Sequence, residues 1–261
     1  MIMPRASSTA ALAALLGAAF LAAPASARGL EDIKASGTIA VCAHPNALPF
    51  ASKNGPRHGF EVDLAEALAH QLGVTLTREW IITEYDLFRA PCDIVMDSIA
   101  DPEAQSDAGL QLSKPYRRSG VALAIRADEK LRSLADLGKT REVAVLTSSI
   151  AAMTLNQRGI ETVPGLWEDD LLTMLAKGEV DAAAVTPTSV DYYNFRHPRA
   201  KLRLLYVFEG QPDLSWNLAV GMRRPDAQLR QAIDAALTRL IADGTVKRVY
   251  ARYGVEVQPP K

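Results

Sequence analysis

The sequence predicts an α/β fold, on three observations. Short apolar runs, at residues 38–43, 92–97, 142–146 and 180–185, have the length and composition of strands buried on both faces. Between such runs lie segments with apolar residues at helical spacing, as in Phe60, Leu64, Leu68 and Leu72. Glycine or proline closes most segments, so strand and helix alternate as a layered sheet requires.

Each element has its own justification. Residues 38–43 form a strand ended by Pro45 and Pro49, which fix φ and supply no ladder donor. A helix follows over 60–72, with Glu61 and Asp63 in its dipole-favoured first turn and Gly73 as its left-handed stop. Residues 74–80 alternate as a second strand, and 84–89 allow one or two helical turns before Pro91. Residues 92–97 are a buried strand, and 120–125 another. The stretch 133–138 is a capped turn, 142–146 a strand, and Thr147, Ser148 and Ser149 lead into a helix ending near Gly159. A strand-turn begins at Val163. The acids Glu168, Asp169 and Asp170 open a helix stopped by Gly178, where they offset the dipole on a solvated face. Residues 180–185 form a strand. The aromatics of 191–195 near its end pack under the surface or stack on a ligand, with packing favoured. Trp216, Leu218, Val220 and Met222 alternate as a late strand. Leu229, Ile233, Leu237, Leu240 and Ile241 stripe a helix over 226–243, and 244–254 makes a terminal helix.

Residues 1–27 read as a cleaved export signal: Arg5, an apolar stretch over 10–23, and Ala25-Ser26-Ala27 as the cleavage site. The apolar stretch is shorter than a membrane span needs, and no cysteine follows it for lipid attachment. The mature chain is therefore expected in the periplasm. A net charge of −1 gives no basic excess for nucleic acid or an acidic membrane. Cys42 and Cys92 are an even pair in an oxidising compartment, which favours a disulfide. Against it, adjacent parallel strands in simple register would offset them by about three residues, ~10 Å, beyond bridging distance. The bridge stays open at this point, and two cysteines are too few for a zinc site.

Residues 42–50 (Cys-Ala-His-Pro-Asn-Ala-Leu-Pro-Phe), then Gly59-Phe60-Glu61-Val62-Asp63-Leu64-Ala65 and Ser113-Lys114-Pro115-Tyr116, resemble the bacterial periplasmic solute-binding proteins of the amino-acid-binding (family 3) type. Within that type the chain is most similar to a branch accessory to quinoprotein dehydrogenases of methanol oxidation. The resemblance implies a two-lobed, type II periplasmic-binding-protein-like fold, each lobe a mostly parallel sheet flanked by helices. It places lobe 1 at 28–120 and 221–261 and lobe 2 at 121–220, with the strands at 120–125 and 216–222 as a hinge. It also implies a monomer that captures a small polar solute for a membrane transporter permease, or alternatively serves a periplasmic quinoprotein dehydrogenase, without a cofactor of its own.

Open α/β sheets bind ligands at strand carboxyl ends. Asn46, Phe50, Asp97, Ser98, Thr147, Ser148, Ser149 and Thr186 are the candidates there, although Ser and Thr serve equally as helix caps. Family members hold an amino acid's carboxylate with an arginine just after the third strand and its ammonium with an acid in lobe 2. Here residues 98–107 contain no arginine or lysine, and Val185-Thr186 stands where the acid would be, so an ordinary α-amino acid is not expected. Arg117 and Arg118 are the cations that could compensate. No nucleotide loop, nucleophile elbow or His-Glu-x-x-His occurs, and His44, His58, His70 and His197 are scattered. Glu61 and Asp97 alone suggest an acid–base pair. The expectation is a binding protein, not an enzyme.

Overall fold

The computed structural model describes residues 28–261 apart from 104, 107, 108 and 209. The expected export signal, 1–27, lies outside the described residues. In chain order the elements are α1 (Leu30–Ser36), β1 (Thr38–Ala43), β2 (Asn46–Ala47), β3 (Ala51–Ser52), α2 (Phe60–Leu72), β4 (Thr75–Trp80), α3 (Glu84–Leu87), β5 (Ile94–Ile99), β6 (Leu110–Leu112) and β7 (Arg117–Gly120). They continue with β8 (Ala122–Ile125), β9 (Glu142–Leu146), α4 (Ile150–Gln157), β10 (Glu161–Gly165), α5 (Glu168–Lys177), β11 (Ala182–Val185), α6 (Pro187–Arg196), β12 (Arg203–Leu205), β13 (Ser215–Arg223), α7 (Ala227–Ala242) and α8 (Thr245–Ala251).

Two sheets result. The first runs β4-β1-β5-β13-β6, with β7 also on β13; the second runs β10-β9-β11-β8-β12. In each, all strands but one share a direction, and the reversed strand is β13 in the first and β8 in the second. Ser215 opposite Gly120 and Ala122 opposite Val185 bring the carboxyl ends of both sheets to the crossing. There the chain passes from sheet to sheet at Gly120-Val121 and back at Leu214-Ser215, with the Val121 N–H donating to the Leu214 carbonyl at 2.9 Å. The expected boundary at 220/221 therefore falls inside a strand that pairs throughout with the first sheet. The alternating apolar residues of 216–222 mark a strand but do not say which sheet it joins.

The first core gathers Phe60, Leu64 and Leu68 of α2, Val41, Ile94, Val220 and Met222 of the sheet, and Leu229, Ile233 and Leu237 of α7. Ile241, read as part of that stripe, is exposed. The second sheet has a core on each face: Leu123, Ile125, Val143 and Val145 on one side, Ala124, Ala144, Ala183 and Val185 on the other, as strand alternation demands.

Cys42 and Cys92 are joined in a disulfide, with their Cα atoms 5.4 Å apart. The register is the one that argued against it, Cys42 lying opposite Val95. Cys92, however, precedes β5 and leaves the strand line, while the Asp93 N–H holds the turn by donating to the Ala40 carbonyl. The Asp93 carboxylate accepts the Ala40 N–H at 2.7 Å and pairs with Arg28.

Candidate functional site

The loop after β1 is fixed by the helix that follows it. The Pro49 and Phe50 carbonyls accept the first N–H groups of α2, from Phe60 and Glu61, at 2.9 and 3.0 Å. Gly59 makes this approach possible: its φ is +93°, and a Cβ there would lie 2.1 Å from the Phe50 oxygen. The Phe50 ring then packs edge-on against Phe60, 5.1 Å between centroids. His44 has the turn role expected of it, accepting the Asn46 N–H at Nδ1.

A cavity of about 750 Å³ opens between this loop and the second sheet. Asn46 to Phe50 form one wall; Leu146, residues 166–170, Leu172 and the α6 side chains Ser189, Tyr192 and Arg196 form the other. Leu166 and Trp167 are exposed at its lip. Arg196 pairs with Asp169 at 3.2 Å and lies over the Tyr192 ring.

Of the eight expected site residues, Asn46 and Phe50 line this cavity. Thr147 donates its hydroxyl to the Gly165 carbonyl, Ser149 caps α4 by accepting the Ala152 N–H, and Ser148 is exposed with φ +59°. Thr186 caps α6 and is held by Glu168, which accepts its N–H at 2.8 Å and its hydroxyl at 2.7 Å. The acid run is thus more than dipole compensation: Glu168 bridges from α5 to the α6 cap. Ser98 is buried beside Gly221, where a Cβ would meet its Oγ at 2.5 Å.

Asp97, which does not line the cavity, belongs to an ionic cluster with Arg117. Its backbone is left-handed (φ +53°), its N–H donates to the Tyr116 hydroxyl, and its carboxylate accepts the Tyr116 hydroxyl and a two-point contact from Arg117. Arg117 is 4% exposed and lies beside the stacked rings of Phe60 and Tyr250, whose centroids are 4.2 Å apart, at 5.5 and 5.1 Å from them. Burial opposes its charge, but Asp97 prevails and holds the guanidinium well above its usual range. Glu61 completes the cluster: burial, then the Asp97 charge, raise its carboxyl well above the usual range, while Arg117 acts the other way. Burial also pushes the Tyr116 and Tyr250 hydroxyls well up. The Asp97 carboxylate is thus held by Tyr116 and Arg117, and the Arg117 guanidinium is turned to Asp97.

Of the α6 wall residues, the sequence reading weighed Tyr192, as packing or ligand stacking, and passed over Ser189 and Arg196. Thr186-Pro187 is an N-cap followed by proline at the first helical position, and that pair is the signal for a helix over the aromatic run.

A family model, bacterial extracellular solute-binding proteins, family 3, matches residues 39–256. The chain belongs to this family. This family 3 protein is 26% identical over 231 residues to the histidine-binding periplasmic protein of Salmonella typhimurium, covering 82% of this chain and 86% of the relative. Among solved structures it resembles the L-cystine solute receptor of Neisseria gonorrhoeae in the unliganded open conformation (TM-score 0.73, 22% identity, 89% of this chain and 99% of that one). It also resembles MxaJ from Methlophaga aminisulfidivorans (TM-score 0.68, 21% identity, 84% and 99%). The type II periplasmic-binding-protein fold of this family 3 solute-binding protein is the one its family resemblance implied.

Proposed function

We propose that this family 3 chain works in the periplasm and takes a small polar solute into the cavity between its two sheets, for delivery to a membrane transporter. The observation that carries the reading is the cavity itself, framed by strand carboxyl ends from both sheets. The sheets define the lobes we propose, 28–120 with 215–261, and 121–214. The solute is not an ordinary α-amino acid. Residues 98–107 offer no cation, Arg117 is paired with Asp97, and the one cation among the described residues lining the cavity, Arg196, is paired with Asp169. Losing both clamps removes two charge-assisted contacts of about 1.5–3 kcal/mol each. Mass spectrometry of small molecules carried through native purification tests the reading, followed by calorimetric titration of the stripped protein with the twenty amino acids. Recovery of a bound solute with no amino acid binding at micromolar level is expected; micromolar binding of any amino acid overturns the ligand class.

A second reading is favoured by the internal neutralisation of Arg117: the same scaffold serves as accessory to a periplasmic quinoprotein dehydrogenase. It agrees with the resemblance carried by residues 42–50 and 59–65. Co-purification with such a dehydrogenase, and no small molecule, would select it.

A further inference from the structure

We infer that the cavity between the two sheets selects an organic cation with an apolar body and no carboxylate, and that Trp167 and Asp170 form the seat for its charged end. The inference rests on the solute reading above and names the class of solute. Two features carry it: the sign of the charge on the walls, and a side chain that shows how these walls hold a cation.

The described residues lining the cavity bear three carboxylates, on Glu168, Asp169 and Asp170, against one guanidinium, on Arg196. All three acids stand in the first turn of α5, where together they exceed the half positive charge that a helix amino terminus supplies. Glu168 is bound by neutral donors, the Thr186 N–H and hydroxyl, so its charge is not cancelled. A cleft of one sign with apolar walls concentrates ions of the other sign. Much of the remaining lining is apolar, with Leu48, Pro49 and Phe50 on one wall and Leu146, Leu166 and Leu172 on the other. Those surfaces suit a hydrocarbon or aromatic body.

Arg196 is the cation that the walls already hold. Its guanidinium lies 5.6 Å from the Tyr192 ring centroid and 3.2 Å from Asp169, between one aromatic face and one carboxylate. A second ring and carboxylate stand at the lip. Trp167 and Asp170 are the cap and the third residue of α5, positions that bring their side chains together, and the Asp170 N–H donates to the Trp167 carbonyl at 3.1 Å. Both side chains are exposed and line the cavity, and among the described residues neither makes a hydrogen bond, ion pair or ring contact. An ammonium group placed there gains a ring face and a carboxylate together, as Arg196 does, while its body runs inward along the apolar walls. An anionic solute meets surplus acid, and the guanidinium it would need is already paired and stacked.

Titration calorimetry of the full chain, stripped of solute, tests this with three probes on one skeleton: phenylpropylammonium, phenylpropanamide and phenylpropionate. The ammonium probe should bind about tenfold tighter than the amide and weaken as salt is raised, and the carboxylate should bind weakest. Asp170→Asn, an exposed change with no protein partner to lose, should reduce ammonium binding about fivefold and leave the amide unchanged. Arg196→Gln releases Tyr192 and Asp169 and should strengthen ammonium binding about threefold, a gain that a purely structural arginine would not give. A carboxylate probe that binds as tightly as the ammonium probe overturns the inference. So does an ammonium probe that fails to bind, or whose affinity is unchanged in Asp170→Asn. In each of these cases a solute recovered from native purification leaves the solute reading standing, whereas none recovered removes that reading as well.

Discussion

At the scale of single residues, the buried cluster around Arg117 decides most. Removing one partner of a buried ion pair leaves the other charged and unpaired, at a cost of about 3–5 kcal/mol. Arg117→Ala should destabilise by that amount, read as a lowered urea midpoint with unchanged slope. Replacing Asp97 and Arg117 together by apolar residues should cost less than the single change. Glu61 gives a pH dependence. Its carboxyl is raised in the native state, so the native state holds a proton that the unfolded chain releases near pH 4.3, an approximate reference value. The stability it contributes is complete below that pH and is lost as pH rises through the raised native value. Glu61→Gln should therefore flatten the fall in stability on going from about pH 4.3 upward, measured by urea unfolding across that range. Little of this was legible in the sequence. Asp97 and Arg117 stand 20 residues apart, and neither pattern nor spacing pairs an acid at a strand end with an arginine on a later strand. Asp97 was read at the end of its strand as a candidate for a solute; its partners Tyr116 and Arg117 could not be read there.

At the scale of elements, strands and long helices were the readable part, because burial imposes a period. α2 and α7 follow their apolar stripes, and β1, β9 and β11 their compact runs. α6 was not read, since its aromatics are buried on two sides and show no single stripe. Its start is nonetheless specified by chemistry. Thr186→Ala removes the cap and the hydroxyl donor to Glu168, and should cost about 1–2 kcal/mol. The backbone N–H of Thr186 remains in the alanine variant, so Glu168→Gln should weaken the same junction by a comparable or smaller amount. Thermal unfolding of the two single variants and their combination checks this. A shared junction makes the double loss less than the sum of the singles.

At the scale of the whole molecule, the order of apolar runs gave the α/β class and the family resemblance the two-lobed architecture, whereas neither fixed the disulfide or where the chain crosses between sheets. Both depend on where the chain leaves a strand, and a turn's path carries no periodic signal. The bridge closes a loop across a sequence separation of 50, and the Cys42→Ser/Cys92→Ser variant should lose about 2–4 kcal/mol. Equilibrium unfolding of that variant against the oxidised protein measures the loss.

The position of β13 bears on how the protein is made. Every strand of the second sheet lies between residues 122 and 205, so that sheet is complete once this continuous stretch has emerged. The first sheet is not: β5 waits more than a hundred residues for β13, its neighbour on one side, and α7 and α8 follow later still. Until then the nascent chain presents β5 as a bare hydrogen-bonding edge beside an uncovered apolar face, the kind of surface on which chains stick to one another. A polypeptide released before residue 215 would hold one finished lobe and one that cannot close, and its fate would fall to chaperones and proteases.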